Sequence, residues 1–213
     1  MSTIDRKSRE KEQRKTAIID AAEKIFTQNG YEKTTIDDIA KESELAKGTL
    51  YLYFQSKEEI FGGIILRGLE TMASLLEEQQ KTASTGIEKY DAANQVFQDY
   101  CKKFSDYLKI LALYQSQHFL QFIKERGPIV QEIENKKQAI VRNLTQAIQT
   151  GIQDGSIDKS INAEKTAMII ITTAASFTHP HKMHSGNQAE CDQNTEELMK
   201  YFFELMRTAI KAK

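Results

Sequence analysis

Apolar residues recur at every third or fourth position along much of the chain, which predicts amphipathic helices, and no strand-like alternation occurs in residues 1–80. Over residues 16–28 the apolar positions fall on one helix face, and the Asn29-Gly30 pair that follows predicts a left-handed stop. Thr35 and Asp38 have the spacing of a capping box, so a second, short helix is expected to begin there.

A break at residues 44–46 separates this short helix from a third one. Leu50 and Phe54 lie four residues apart and are expected to face the core. Gly48, Thr49, Tyr51 and Leu52 are then expected to face away from the core, with Tyr53 at the edge of this outward face. An outward row of this kind is unusual for a purely structural helix. Residues 56–59 form another capping box and predict a fourth helix.

Helical spacing continues through the rest of the chain. Aromatic residues between Tyr90 and Tyr114 keep intervals of mostly three or four residues and predict one long helix. Pro128 stands at the first turn of the next helix. Gly155 marks a helix end, and Asn162 is a candidate N-cap.

Two apolar segments near the C-terminus complete the pattern. Residues 167–177 are almost wholly apolar, so their helix is expected to be buried on most sides. A last helix, residues 195–210, is expected to bury Leu198, Phe202, Leu205, Met206 and Ala209. Together the segments predict an all-α fold of about nine helices.

The composition agrees with a soluble, helix-rich protein, because only two of the 213 residues are proline and none is tryptophan. No apolar stretch approaches the roughly 20 residues that a membrane helix needs, and the first residues lack the apolar core of a signal peptide. A cytoplasmic protein without a membrane partner is therefore expected. Cys101 and Cys191 show no disulfide-framework or redox spacing.

The net charge is only −1, but cations are concentrated near the N-terminus. The cations of this run are Arg6, Lys7, Arg9, Lys11, Arg14 and Lys15, set against Glu10 and Glu12. Such a run is either a solvated tail or an arm that meets nucleic acid phosphates, and the second interpretation requires a recognition element beside it.

Residues 35–54 have the outline of such an element. Two short helices joined by a break, the second with small and hydroxyl side chains outward, describe a helix-turn-helix whose second helix enters the DNA major groove. Lysine can donate to guanine, threonine can touch a thymine methyl, and tyrosine hydroxyls reach phosphates. A generic helix pair has a similar outline, so the pattern alone leaves both interpretations open.

The string TTIDDIAKESELAKGTLYLYFQSKEEIF, residues 34–61, closely resembles the signature of the TetR (tetracycline-repressor-like) transcriptional regulators. The resemblance covers residues 18–61, and the rest of the chain agrees only in layout. It implies a three-helix helix-turn-helix DNA-binding domain with a basic N-terminal arm over residues 1–60. A larger all-α ligand-binding and dimerisation domain over residues 61–213 is implied as well.

The resemblance also implies site residues. Thr35 looks like a phosphate contact, and Tyr53 and Lys57 look like clamps on the DNA backbone. The groove-facing surface implied is Lys47, Gly48, Thr49, Tyr51 and Leu52. Two residues depart from the family pattern: Glu44 stands where glycine is common in the turn, and Ala46 where serine or threonine often opens the third helix. Glu44 puts the left-handed turn in doubt, and Ala46 weakens the expected cap.

The aromatic stripe after Tyr90 is either core packing or the lining of a ligand cavity, since each buried tyrosine hydroxyl needs a partner. A member of the resembling family would line an inducer cavity with this helix and its neighbours. The pocket candidates are Phe97, Tyr100, Cys101, Phe104, Tyr107, Phe119, Phe122 and Met168.

His179, His181 and His184, with Cys191 and Asp192 nearby, raise the question of a metal site, since imidazole and thiolate suit zinc, copper or nickel. Their spacing matches no closed structural zinc pattern, and polar loops gather histidines by chance. No metal site and no cofactor are predicted.

The function expected is that of a sequence-specific DNA-binding transcriptional regulator. The resemblance implies a homodimeric repressor, held by its last two helices, that a small apolar or aromatic ligand releases from a palindromic operator of double-stranded DNA. The alternative is a helical ligand-binding or interaction protein whose head no longer binds DNA. No P-loop, nucleotide-binding glycine motif or G-x-S-x-G occurs, so no enzyme is expected.

Overall fold

A computed structural model describes residues 3–104, 122, 124, 127–177 and 188–212, with only the backbone described for residues 3–5 and 188–194. Within these residues the chain forms eight α-helices and no β-strand, which confirms the all-α class. The helices are α1 Thr3–Asn29, α2 Ile36–Glu42, α3 Lys47–Tyr51, α4 Lys57–Gln80, α5 Gly86–Lys103, α6 Pro128–Asp154, α7 Ala163–Ser176 and α8 Gln188–Ile210. None of these helices has the length and apolar character to cross a membrane.

Most of the helix boundaries read from the sequence are confirmed. Gly30 ends α1 and Gly155 follows α6, each with φ of +79°, a conformation that only glycine adopts without strain. The Thr35 side chain accepts a hydrogen bond from the Asp38 amide at the start of α2. At the start of α7, Asn162 accepts from the amide of the third helical residue.

Helix α1 is longer than predicted, because it begins at Thr3 and not at Thr16. Residues 6–14 are exposed all round, so they carry no apolar periodicity from which a helix could be recognised. Their Arg, Lys, Glu and Gln residues are good helix formers, and an Arg6–Glu10 ion pair of 2.8 Å spans one turn. The basic N-terminal run is therefore a solvated helix.

Helix α5 is shorter than the long aromatic helix that was predicted from Tyr90 to Tyr114. It ends at Lys103, and Phe104 leaves the helical region with φ −113° and ψ 35°. The seven-residue apolar spacing continues past this point and gives no sign of the break.

The described residues group into two compact units. The first contains the residues up to Gly68 together with those between Leu113 and Ile133, and the second contains the remainder. This grouping places the change of unit after Gly68, within α4, whereas the sequence suggested a boundary after residue 60, and that domain assignment stays a prediction.

The first unit has a buried core to which both short helices contribute. Phe26, Tyr31 and Phe61 form a buried aromatic cluster with ring centroids 5.1 to 6.1 Å apart. Ile39 of α2 and Leu50 of α3 are fully buried in the same unit. Each short helix is therefore stabilised by the apolar side chains that it buries, because a helix this short is not stable in isolation.

In the second unit the start of α5 lies against the end of α6 at two glycines. An alanine methyl at Gly86 would stand 1.9 Å from the backbone nitrogen of Gly151, so only glycine fits. The Gly86 amide donates to Asp154 Oδ2 at 2.7 Å, and the hydroxyl of the fully buried Tyr90 donates to the Phe203 carbonyl at 3.2 Å. These bonds attach α5 to both α6 and α8.

The two C-terminal helices bury less than the sequence predicted. Within one chain α7 buries Ala167, Ile170 and Ala174 but leaves two apolar side chains exposed: Met168 at 54% and Ile169 at 56%. Helix α8 buries Met199, Phe203 and Ile210. The predicted burial of Leu198, Leu205 and Ala209 is wrong for the single chain, because all three are exposed. The apolar stripe of α8 is wider than one neighbouring helix can cover.

Candidate DNA-binding surface

The turn between α2 and α3 has a left-handed residue where the sequence places glutamate. Glu44 adopts φ of 55°, and Leu45 then donates its amide to the Ala40 carbonyl at 2.9 Å. The turn therefore keeps the geometry that glycine would favour, at a cost of about 1 kcal/mol in steric strain.

We expect Glu44→Gly to raise the free energy of unfolding by up to roughly 0.6 kcal/mol, because relief of strain exceeds the entropy that glycine adds to the unfolded chain. Urea denaturation measures the change. The neighbouring Ser43→Gly is the control, since Ser43 has φ of −80° and its hydroxyl donates to the Ala40 carbonyl. Equal destabilisation by both substitutions would contradict strain at Glu44.

Helix α3 presents most of the predicted recognition residues to solvent. Leu50 is fully buried and Phe54 nearly so, as predicted. Lys47, Gly48, Tyr51 and Leu52 are exposed, Leu52 at 78%, whereas Thr49 and Tyr53 are half-buried. Ala46 forms no side-chain cap for this helix, as its residue type implied. Leu52, the residue that follows α3, therefore leaves a large apolar side chain available for contact with another molecule.

Thr35 already uses its polar groups within the protein. Its hydroxyl and its amide both donate to Asp38 Oδ2, at 2.7 and 2.9 Å. These bonds from Thr35 lower the pKa of the Asp38 carboxyl. A phosphate contact by Thr35 remains a prediction, and it requires the hydroxyl to exchange this partner.

Lys57 has an internal role that the sequence did not reveal. Its Nζ donates to the carbonyls of Tyr31 and Thr34, each at 3.0 Å, and lies 4.2 Å from the centre of the Tyr31 ring. The Tyr31 hydroxyl in turn donates to Glu58 at 2.9 Å. Lys57 thus joins the α1–α2 turn to the start of α4, and no local sequence rule predicts contacts 23 to 26 residues apart.

Lys57→Met is expected to lower the free energy of unfolding by about 2 kcal/mol, since two carbonyls lose charge-assisted hydrogen bonds. Thermal and urea unfolding measure this loss. Lys33→Met is the matched control, because Lys33 is an exposed lysine on the same turn. Unchanged stability together with a shallower salt dependence of DNA binding would show instead that Lys57 contacts phosphate, as the sequence resemblance implied.

Lys47, at the start of α3, forms an ion pair with a residue that sequence analysis did not select. Its Nζ lies 2.9 Å from Asp37 Oδ2 on α2, and the two side chains remain 50% and 68% exposed. The hydrogen bond with Asp37 raises the pKa of Lys47 above its ordinary value. Lys47, which is predicted to contact a base, is thus bound to Asp37 of the preceding helix.

The structure describes six of the eight residues predicted to line a ligand pocket. Phe97 packs on Phe203 with centroids 5.6 Å apart, and Tyr100 packs on Phe104 at 4.6 Å. Burial raises the pKa of the Cys101 thiol to about 12. Met168 is exposed, Phe122 is half-buried, and Tyr107 and Phe119 lie outside the described residues. The pocket remains a prediction.

A cavity of about 340 Å³ lies elsewhere in the second unit and contains none of the pocket candidates. Its lining is mainly amide side chains, with Lys89 and Thr150: Gln80, Asn143, Gln146, Gln149 and Gln153. Among the residues described, no three His, Cys, Asp or Glu side chains are placed to hold a metal ion. His179, His181 and His184 lie outside those residues, as do the side chains of Cys191 and Asp192.

Comparisons with known proteins place this geometry among bacterial regulators. The family model "Bacterial regulatory proteins, tetR family" matches residues 18–64, which contain α2, the turn and α3. The uncharacterised HTH-type transcriptional regulator YhgD of Bacillus subtilis is 32% identical over 160 residues, covering 74% of this chain and 78% of YhgD.

Two solved structures share the fold. FadR from Bacillus subtilis, in complex with stearoyl-CoA, superposes with a TM-score of 0.65 at 23% identity and covers 86% of this chain and 96% of FadR. AibR, in complex with isovaleryl coenzyme A and operator DNA, superposes with a TM-score of 0.60 at 16% identity and covers 87% of this chain and 97% of AibR.

Proposed function

This chain belongs to the TetR family and is a DNA-binding transcriptional regulator, and from that premise we propose that it acts as a homodimeric repressor released by a small ligand. The observation that carries the proposal is the exposed face of α3, fixed from behind by the fully buried Leu50. In this proposal α3 enters the major groove, Lys47 and Thr49 contact bases, and Tyr53 contacts the DNA backbone.

Gly48 supports this placement of α3. An added methyl at Gly48 meets no atom within 4 Å, so the fold does not require glycine there. In the proposal DNA approaches the backbone at this position, where a side chain would keep it away.

We expect Gly48→Ala to leave stability unchanged or raise it by up to about 1 kcal/mol, because alanine is the better helix former. Operator affinity should fall at the same time, since the methyl separates α3 from the groove. Urea denaturation and fluorescence anisotropy measure the two effects on the same samples. Unchanged operator binding would place the recognition surface elsewhere.

A dimer accounts for the apolar surface left exposed in the second unit. The exposed side chains on α7 and α8 are Met168, Ile169, Leu198, Tyr201 and Leu205. Several large apolar side chains exposed on two helices are typical of an interface. A two-fold dimer would bury them and would match a palindromic operator with half-sites one DNA turn apart.

For the ligand we propose a small molecule with an apolar part, bound in the second unit. The support is the aromatic side chains of α5 and α8 and of Phe177, which follows α7, together with the stearoyl-CoA and isovaleryl coenzyme A ligands named for FadR and AibR. Ligand and operator would favour different conformations, so each must weaken the binding of the other by the same factor.

A gel shift on the DNA upstream of its own gene tests the DNA part of the proposal. A thermal-shift screen of acyl coenzyme A thioesters and aromatic compounds, with free coenzyme A as control, then tests the ligand part. A compound that stabilises the protein yet leaves operator affinity unchanged at saturation would contradict release by that ligand. A chain that binds ligands but no DNA would favour the helical ligand-binding alternative.

A further inference from the structure

The helix-turn-helix of this protein carries an acidic charge where DNA phosphates would approach. Residues 35–52 contain four carboxylates against two lysines. Three of the carboxylates bind to groups of the first unit itself: Asp38 caps α2, Glu42 pairs with Lys24, and Asp37 pairs with Lys47. This element by itself does not attract nucleic acid non-specifically.

Lys47 is the only cation of α3, and Asp37 holds it 2.9 Å away before any DNA arrives. Both side chains stay half-exposed or more, so the pair can open without rearrangement of the core. A phosphate oxygen offers the ammonium group the same kind of charged acceptor that Asp37 already provides. A guanine edge offers two acceptors, O6 and N7, at a fixed place in the groove.

We propose that Asp37 is a specificity-determining residue, which withholds Lys47 from phosphates on arbitrary DNA and yields it to a matched base edge. The inference rests on the proposed placement of Lys47 in the major groove. Opening an exposed ion pair of this kind weakens binding by a factor of roughly 1.4 to 5. On non-specific DNA a phosphate contact only replaces the contact with Asp37, so Lys47 adds no affinity there. On the operator the contact with the base offsets the loss of the ion pair.

The test compares the full chain, Asp37→Asn, Lys47→Ala and the double variant on two duplexes. One duplex is selected from a random library by the wild-type chain, and the other is its scrambled sequence. Asp37→Asn should tighten binding to the scrambled duplex by roughly two- to fivefold, with a smaller gain on the selected duplex. The slope of log affinity against log salt on the scrambled duplex should steepen by roughly 0.9, the value for one added phosphate contact.

Two further variants distinguish the effect of Asp37 on Lys47 from general repulsion between a carboxylate and the DNA phosphates. Asp37→Glu keeps the charge and should retain the wild-type ratio of affinities. Glu32→Gln removes an equal charge from the exposed turn after α1 and should leave the ratio unchanged. Thermal unfolding of every variant checks that the first unit stays folded.

The double variant decides the matter. If Asp37 acts through Lys47, the effect of Asp37→Asn disappears in the Lys47→Ala background, and its persistence there would overturn the inference. An equal gain on both duplexes would overturn it too. Failure of the wild-type chain to select any duplex would instead overturn the proposed function, and this inference with it.

Discussion

Leu205→Glu is expected to convert the protein from a dimer to a monomer at micromolar concentration. Leu205 is 52% exposed on α8 and belongs to the exposed apolar side chains of α7 and α8. Because Leu205 is already half-buried in the single chain, its remaining burial contributes about 0.8 to 1.5 kcal/mol, and a two-fold interface counts each substitution twice. The dissociation constant should therefore rise by roughly one to two orders of magnitude, before the cost of burying the carboxylate is added.

Light scattering over a dilution series measures this change, and operator binding should be lost in parallel because a monomer contacts one half-site only. Glu204→Gln is the matched control, since Glu204 is an exposed neighbour on α8 whose replacement removes no apolar surface. The proposed interface would be contradicted if the Leu205→Glu protein remained dimeric, or if the wild-type protein were monomeric at the same concentration.

Gly86→Ala is expected to lower the free energy of unfolding of the second unit by about 3 kcal/mol or more, at the upper end of overpacking effects. The new methyl would lie 1.9 Å from Gly151 N, 2.2 Å from Gly151 Cα and 2.6 Å from the Ala147 carbonyl oxygen. All three are backbone atoms, so no rotamer change relieves the clash. Helix α5 would have to move from α6 and break the Gly86–Asp154 hydrogen bond.

Urea denaturation, followed by circular dichroism, measures the loss. Gly127→Ala, in the first unit, is the control for a glycine-to-alanine change without a clash, because an added methyl at Gly127 meets no atom within 4 Å. Similar stability of the two variants would show that the α5–α6 contact is looser than the backbone geometry requires.

Much of the recognition unit could be predicted because its signals are local. The capping box of Thr35 and Asp38 and the four-residue spacing of Leu50 and Phe54 are set within single turns of helix, and the structure contains both. The left-handed turn was in doubt, because Glu44 is not glycine. The turn forms nonetheless, since the packed residues on either side, Ala40 and Leu50, determine its geometry.

What the sequence did not reveal depends on contacts between distant residues. Only the folded chain brings the Tyr31 and Thr34 carbonyls to the ammonium group of Lys57, whose contact with DNA stays a prediction. The Asp37–Lys47 pair likewise joins two helices across the turn. The apolar residues of α8 were expected both to be buried and to hold the dimer, because periodicity identifies an apolar face without telling whether its neighbour lies in the same chain or in a partner.

The missing cap on α3 has a consequence for how the protein meets its operator. A helix of five residues with no side-chain cap has little stability of its own, and Leu50 is its one buried residue. Its amide hydrogens should therefore exchange with solvent through brief local opening, far faster than those of the long α4. In the proposed complex, contact with the major groove would complete the ordering of α3, so part of the gross binding energy would offset lost conformational entropy. Such a helix can adjust its fit to half-sites that differ slightly in shape.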